Sequence, residues 1–186
     1  GKGYLVRTKV QTTRGCPFSC EFCSVTTFFG HTYRCRKVGE VLDELSHVKD
    51  RIIAFVDDNI VGTPRRAKEF FKSLIPLGIR WFSQGSITMA EDEELLGLAK
   101  ESGCIGIFMG FESLSQENLK AVGKRINLAE RFERAIQKIH SYGIAIEGAF
   151  IYGLDEDDPS IFERTVAFAR RMKLEAVQFG ILTPLP

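Results

Sequence analysis

Three of the chain's cysteines lie close together near its start. Cys16, Cys20 and Cys23 have the spacing C-x3-C-x2-C. Thiolates are ligands for soft metal ions and for iron–sulfur clusters, and cysteines this close in sequence can share one centre. Three protein ligands also leave one coordination position of a tetrahedral metal or of a cluster open. The triplet therefore predicts a metal or cluster site at which a further ligand can bind.

Two kinds of centre suit this triplet. A structural zinc site needs a fourth protein ligand, for which His31 and Cys35 are the candidates. A 4Fe-4S cluster with one iron not bound by cysteine fits the three thiolates directly. We favour the cluster, because no second C-x2-C pair completes a zinc ribbon. A non-catalytic zinc-binding module remains the alternative.

The composition is that of a globular domain. The chain has 186 residues, of which 44% are apolar, and its formal charge is +1. This charge balance gives no support for a nucleic-acid face or a membrane surface. No apolar run approaches the ~18 residues of a membrane-spanning helix. Five cysteines, three of them crowded, favour a reducing compartment, and we expect a cytoplasmic protein.

Short apolar runs alternate with longer amphipathic segments along the whole chain. This pattern predicts a parallel sheet with right-handed crossovers, either a flat doubly wound sheet or an incomplete barrel. Strands are expected at 5–12, 52–56, 79–87, 104–111, 144–152 and 176–182. Helices are expected at 38–48, from 63 to about 76, at 92–100, from 115, at 128–142 and at 159–172. Both chain ends look cut, so we expect residues 1–186 to be one domain excised from a longer multidomain protein.

Polar side chains follow the predicted strands one after another. In α/β folds of either kind, the chemistry belongs at the carboxyl ends of the strands. The residues found there are the cysteine loop 16–23, Asp57, Asp58, Asn59, Gln84, Ser86, Glu112, Ser113, Tyr152 and Thr183. The sequence therefore predicts one functional face that these strand ends share with the cysteines.

The cysteine loop resembles that of the radical S-adenosylmethionine superfamily, with an aromatic residue, Phe22, before the last cysteine. The resemblance covers essentially the whole chain and implies an α/β fold, a partial (β/α)6 TIM-type barrel. Four segments are more narrowly similar to the branch that carries a cobalamin-binding domain ahead of the barrel, which includes hopanoid-type and natural-product methylases. These segments are 13–18 (TRGCPF), 55–59 (FVDDN), 110–113 (GFES) and 181–184 (ILTP).

The resemblance implies an enzyme that cleaves S-adenosylmethionine reductively. In that family the amino and carboxylate groups of S-adenosylmethionine chelate the fourth iron of a 4Fe-4S cluster. One electron then breaks a carbon–sulfur bond and yields a 5′-deoxyadenosyl radical. The implied partners are a one-electron reductant, such as a flavodoxin or ferredoxin, and a small-molecule substrate. Cobalamin would lie on a domain outside this chain, and no catalytic residue is implied beyond the cluster ligands.

The resemblance also assigns cofactor contacts to strand-end residues. Asp57, Asp58 and Asn59 stand where the family accepts hydrogen bonds from the methionine amine, although the usual Gly-Gly-Glu is replaced here. The alternative for these three is a helix-capping loop. Gln84, Ser86 and Glu112 match positions that contact the ribose hydroxyls or the methionine moiety. Ordinary strand-end polarity is the alternative for Gln84 and Ser86, and a surface salt bridge for Glu112.

Aromatic residues are expected around the adenine. Phe22 would place a ring near it, and Phe150 and Tyr152 would line its other side, with core packing as the alternative for Phe150. Thr183 stands where the family closes around the adenine.

Overall fold

The computed structural model describes residues 6–183, which form a six-stranded parallel sheet wrapped by helices. The strands of the sheet are β1 (Thr8–Val10), β4 (Ile52–Phe55), β5 (Arg80–Gln84), β6 (Cys104–Glu112), β7 (Ala145–Tyr152) and β8 (Ala176–Ile181). A separate antiparallel pair consists of β2 (Thr13–Gly15) and β3 (Tyr33–Cys35). The helices are α1 (Ser24–Phe29), α2 (Val38–Ser46), α3 (Pro64–Leu74), α4 (Glu93–Glu101), α5 (Gln116–Ala121), α6 (Phe132–Ser141) and α7 (Ile161–Arg171).

The order of the strands decides between the two predicted architectures. Across the sheet the order is β1-β4-β5-β6-β7-β8, which is the order of these strands along the chain. A doubly wound sheet reverses its order at a switch point, whereas a barrel adds each new strand on the same side. The fold is therefore an open, barrel-like sheet, as the resemblance implied. Within residues 6–183, β1 and β8 do not pair, so the barrel is not closed.

The hydrophobic core lies between the outer face of the sheet and the helices. Along β5, Trp81 and Ser83 are buried on the helix side, while Phe82 and Gln84 are partly exposed on the inner face. This alternation follows from the two-residue period of a strand. The Trp81 ring packs against Phe71 of α3. The outer face therefore anchors the sheet, and the inner face is left to line cavities.

Every predicted strand and helix is present in the predicted order, with differences at the ends of the elements. The strand expected at 79–87 ends at Gln84, and residues 87–91 form a 3-10 turn. Helix α1 and the β2–β3 pair were not predicted, because elements of three to six residues carry too little periodicity. Leu5, the expected start of the first strand, lies outside the described residues. Among residues 6–183, no helix is both long and apolar enough to cross a bilayer.

Candidate active site

The cysteine loop runs from β2 to α1 at the carboxyl end of the sheet. Cys23 directly precedes α1 and its backbone N–H donates to the Cys20 carbonyl (3.1 Å), which closes a turn between these two cysteines. Between these two cysteines, the Glu21 N–H donates to the Val122 carbonyl (3.0 Å), so the loop is bonded to the segment after α5. Cys16, Cys20 and Cys23 are free thiols of intermediate exposure. They are therefore accessible to a metal or cluster.

Gly15 sets the entry into this loop. Its φ of +88° lies in the left-handed region, and a Cβ at this position would stand 1.9 Å from the Thr32 carbonyl oxygen across the β2–β3 pair. Only glycine tolerates both the left-handed backbone conformation and the close approach of this carbonyl oxygen. The Gly15 N–H donates to Asp58 Oδ2 (2.8 Å), which joins the start of the loop to the end of β4.

The carboxylate of Asp57 is a structural anchor. It is fully buried and accepts hydrogen bonds from the Thr12 N–H (2.6 Å), the Thr13 N–H (2.6 Å) and the Thr12 hydroxyl (2.7 Å). Burial raises the pKa of Asp57, and the hydrogen bonds from Thr13 and Thr12 act in the opposite direction. Asp57 is not among the residues that line the cysteine cavity, because its oxygens point back toward the β1–β2 junction.

A cavity of about 170 Å³ joins the cysteines to the strand ends. The three cysteines lie on one side, and the ends of β4, β5 and β6 lie on the other. Six of the residues predicted to bind cofactor line it: Phe22, Asp58, Asn59, Gln84, Ser86 and Glu112. The structure therefore brings together most of the predicted site around a single space.

Asn59 touches the cysteine loop directly. Its side chain is buried, and Nδ2 lies 3.7 Å from Cys16 Sγ, within reach of an N–H···S hydrogen bond. Its Oδ1 is buried without a hydrogen-bond partner. A buried acceptor left open in a polar cavity fits a ligand that brings its own N–H or O–H group.

Glu112 and Lys124 form an ion pair inside the cavity. Lys124 Nζ lies 2.6 Å from Glu112 Oε1, and the two side chains are only 14% and 8% exposed. Glu112 adopts a left-handed φ of +66° where β6 ends. A Cβ on Gly110 would stand 2.1 Å from Glu112 Oε1, so the absent side chain makes room for the carboxylate. Lys124 Nζ also lies 5.7 Å from the centre of the Phe22 ring.

Lys124 and Asn127 are functional candidates that the sequence did not reveal. Both belong to the loop after α5 and both line the cavity. Asn127 Nδ2 donates to the carbonyls of Gly110 (2.9 Å) and Phe111 (3.1 Å), while its buried Oδ1 has no partner. A lysine and an asparagine three residues apart in a loop have no diagnostic spacing. Only their contacts with the end of β6 identify them.

Phe150 and Tyr152 lie on the helix side of the sheet, away from the cavity. Phe150 is stacked on Phe111 with ring centres 5.5 Å apart, and Tyr152 packs against Phe162 of α7 at 4.7 Å. The period of β7 directs both rings outward, so neither lines the cavity, and Phe150 packs in the core. Thr183 donates its hydroxyl to the Ile181 carbonyl (3.0 Å) and is likewise not part of the cavity lining.

The geometry does not support the zinc alternative. Within residues 6–183, no group of three or more His, Cys, Asp or Glu side chains converges on a single metal ion. Cys35 is exposed on β3, and His31 Nδ1 lies 3.4 Å from the Ser19 hydroxyl. A cluster makes a different demand, because each thiolate binds a different iron and the three sulfurs need not meet at one point.

The donors in the cavity fit a 4Fe-4S cluster with a polar ligand. Three thiols line the cavity. The buried side-chain oxygens of Asn59 and Asn127 have no hydrogen-bond donor among the described residues. Burial raises the pKa of the Cys20 thiol, and the positive charge of Lys124 opposes this effect. Metal binding favours the thiolate, so the nearby cation assists cysteine ligation.

Comparison with known proteins places the chain in a family. Residues 10–169 match the model described as the radical SAM superfamily, and the chain belongs to that superfamily. Its members bind a 4Fe-4S cluster and S-adenosylmethionine, which confirms the resemblance drawn from the sequence.

The similar proteins include a methyltransferase and a cyclase. The chain is 34% identical to bacteriochlorophyllide d C-12(1)-methyltransferase of Chlorobaculum tepidum, with 100% of the chain and 42% of the relative covered. It is 33% identical to anaerobic magnesium-protoporphyrin IX monomethyl ester cyclase of Rubrivivax gelatinosus, over 93% of the chain and 32% of the cyclase. The chain thus spans about two fifths or less of these relatives.

A solved structure confirms the fold. The radical S-adenosylmethionine methyltransferase TsrM of Kitasatospora setae, with cobalamin and a [4Fe-4S] cluster bound, superposes with a TM-score of 0.82. The match covers 94% of this chain and 36% of TsrM at 18% sequence identity.

Proposed function

We propose that this chain is the core of an enzyme that binds a 4Fe-4S cluster through Cys16, Cys20 and Cys23 and cleaves S-adenosylmethionine reductively. The proposal rests on one observation: a single cavity is lined both by the three cysteines and by Asp58, Asn59 and Glu112 at the strand ends. When bound, the cluster supplies the electron for the cleavage. The chain's own residues bind and orient the cofactor.

Each wall of the cavity has a chemical task in this proposal. The thiolates hold three irons. Asp58 and Asn59 offer oxygens to the ammonium group of S-adenosylmethionine, because carboxylates and amides accept hydrogen bonds from cations. Glu112 accepts from the ribose hydroxyls or holds Lys124 toward the methionine carboxylate. Phe22 provides an apolar surface that keeps water from the reacting bond.

For the whole protein we propose a methylase or a related reaction that involves cobalamin. The support is that the relatives include a methyltransferase and a cyclase, and that the structure of TsrM contains bound cobalamin. A second cavity of about 670 Å³ runs along the inner face of the sheet, and Gln84 and Phe108 line both cavities. A small-molecule substrate in this second cavity would lie beside the cofactor.

The proposal includes a one-electron reductant such as a flavodoxin or ferredoxin. Arg14 and Arg34 lie near the Phe29 ring, with each guanidinium carbon 5.9 Å from the ring centre, close to the cysteine loop. These exposed cations suit an acidic electron donor. An oxygen-sensitive cluster and unpaired thiols also suit the reducing cytoplasm, which we propose as the location.

The proposal is tested by anaerobic reconstitution and metal analysis. We expect iron far in excess of zinc, and 5′-deoxyadenosine on addition of dithionite and S-adenosylmethionine. Cys20→Ala should lose the cluster and reduce this product to background, because one of three ligands is removed. Cys35→Ala is the matched control, since Cys35 is exposed on β3 outside the cavity.

Two results would contradict the proposed function. One is stoichiometric zinc retained in air with little iron. The other is a Cys20→Ala protein that forms 5′-deoxyadenosine as fast as the Cys35→Ala control.

A further inference from the structure

The amide of Asn59 stands between a cysteine and the open space of the cavity. Nδ2 lies 3.7 Å from Cys16 Sγ, and Oδ1 is buried without a partner. A thiolate has lone pairs and no hydrogen, so it requires a donor and fixes which end of the amide faces it. The oxygen must then face away from the sulfur, where a ligand with an N–H group can reach it.

The backbone around Asn59 is held on both sides. The Tyr33 hydroxyl (2.8 Å) and the Gly62 N–H (3.1 Å) both donate to the Asn59 carbonyl. The next residue, Ile60, donates its N–H to the Gln84 carbonyl (2.9 Å). Asn59 itself is 3% exposed. The backbone at Asn59 is therefore held in place, and turning the side-chain amide over would lose the contact between Nδ2 and Cys16 Sγ.

From this geometry we propose that Asn59 is a two-sided positioning residue. Its Nδ2 donates to the Cys16 thiolate and raises the reduction potential of the cluster, while its Oδ1 keeps the acceptor role toward the ammonium group that the proposed function already gives it. Hydrogen bonds to cluster sulfurs stabilise the reduced, more negative state, which is the physical basis of the first role. This inference rests on the proposed function, because it requires a cluster at Cys16.

The two roles also reinforce each other. A cation at Oδ1 polarises the amide and makes its N–H groups stronger donors, as in any chain of hydrogen bonds. Binding of S-adenosylmethionine should therefore strengthen the contact with Cys16. The amide thus connects occupancy of the cofactor pocket with the ease of reducing the cluster.

Two substitutions separate the roles. Asn59→Leu has a similar volume and removes both the donor and the acceptor. The paired exchange Asp58→Asn with Asn59→Asp keeps the net charge of the cavity and an acceptor at position 59. It tests the acceptor role only, because the new carboxylate beside the Cys16 sulfur lowers the potential by its own charge. Gln11→Leu is the matched control, because the Gln11 amide bonds the Arg14 side chain (2.8 Å) and does not line the cavity.

The measurements are the midpoint potential of the reconstituted cluster without S-adenosylmethionine and the binding of S-adenosylmethionine by anaerobic equilibrium dialysis. We expect the potential to fall in Asn59→Leu and to stay at the wild-type value in Gln11→Leu. Binding should weaken roughly tenfold or more in Asn59→Leu, the effect of one hydrogen bond to a charged group. The paired exchange should bind as tightly as wild type.

The possible failures are distinguishable. A wild-type chain that takes up no iron–sulfur cluster overturns the proposed function. A loaded cluster whose potential is the same in wild type and Asn59→Leu overturns the donor role of Asn59 alone. Unchanged binding of S-adenosylmethionine in Asn59→Leu overturns the acceptor role. Asn59→Ala, which removes the donor without adding a charge or bulk, gives the potential even if Asn59→Leu does not fold.

Discussion

Lys124 Nζ and Glu112 Oε1 lie 2.6 Å apart inside the cysteine cavity, with both side chains largely withdrawn from water. The lysine comes from the loop after α5 and the glutamate from the end of β6, so the pair holds two separate walls together. Removal of one partner from a buried pair leaves the other charge without compensation in a poorly solvated place. The pair is therefore important for stability as well as for the chemistry of the cavity.

The first prediction concerns this ion pair. Lys124→Met should lower the free energy of unfolding by roughly 3 kcal/mol, because the Glu112 carboxylate stays buried and unpaired. The double variant Lys124→Met with Glu112→Gln should recover part of this loss, since no lone charge remains. Urea unfolding at neutral pH measures both effects.

An exposed ion pair serves as the control. Lys138 pairs with Glu93 between α6 and α4, and the two side chains are 35% and 73% exposed. Lys138→Met should leave the midpoint of urea unfolding close to the wild-type value, as is usual for surface pairs. Equal losses in Lys124→Met and Lys138→Met would mean that the cavity pair is effectively solvated.

The features that could be predicted from the sequence are those encoded within a few consecutive residues. The spacing of Cys16, Cys20 and Cys23 is contained in eight residues, and strands such as Ile52–Phe55 are continuous apolar runs. From these alone the α/β class and the converging strand ends could be predicted. The order of the strands across the sheet depends on long-range pairing, so the choice of a barrel came from the resemblance and the structure.

What the sequence could not supply was the direction of individual side chains. Asp57, Asp58 and Asn59 are consecutive, and only the turn after β4 decides that the first points to Thr12 and the others to the cavity. Phe150 and Tyr152 share one face of β7, but both faces of a buried parallel strand are apolar, so the pattern does not say which face meets the helices.

The second prediction compares two glycines of the cysteine region. Gly15 and Gly30 both have left-handed φ values, +88° and +69°. A Cβ on Gly15 would stand 1.9 Å from the Thr32 carbonyl oxygen, whereas a Cβ on Gly30 would meet no atom within 4 Å. Gly15→Ala should therefore cost at least about 3 kcal/mol, from backbone strain and a clash that no rotamer relieves. Gly30→Ala should cost about 1 kcal/mol, from the conformation alone.

Thermal unfolding and bound iron after reconstitution check this comparison. Gly15→Ala should also lose most of its iron, because the β2–β3 pair that leads into the cysteine loop is displaced. Gly30→Ala should load iron like wild type. Similar stabilities for the two alanine variants would show that the β2–β3 pair yields to the extra methyl group at little cost.

The last prediction separates the two adjacent acids after β4. The Asp57 carboxylate accepts from the Thr12 and Thr13 backbones and from the Thr12 hydroxyl, and it lies outside the cavity lining. Asp57→Asn should cost only about 1–2 kcal/mol, since the amide oxygen still accepts, the threonine hydroxyl can turn round to accept, and a buried charge is removed. Asp57→Leu should cost roughly 4 kcal/mol, because buried N–H groups lose their acceptor. In Asp57→Asn, binding of S-adenosylmethionine by the reconstituted protein should remain at the wild-type level. If Asp57→Asn folds with little loss of stability and yet binds S-adenosylmethionine at least about tenfold more weakly, then Asp57 contacts the cofactor, as its place in the sequence first suggested.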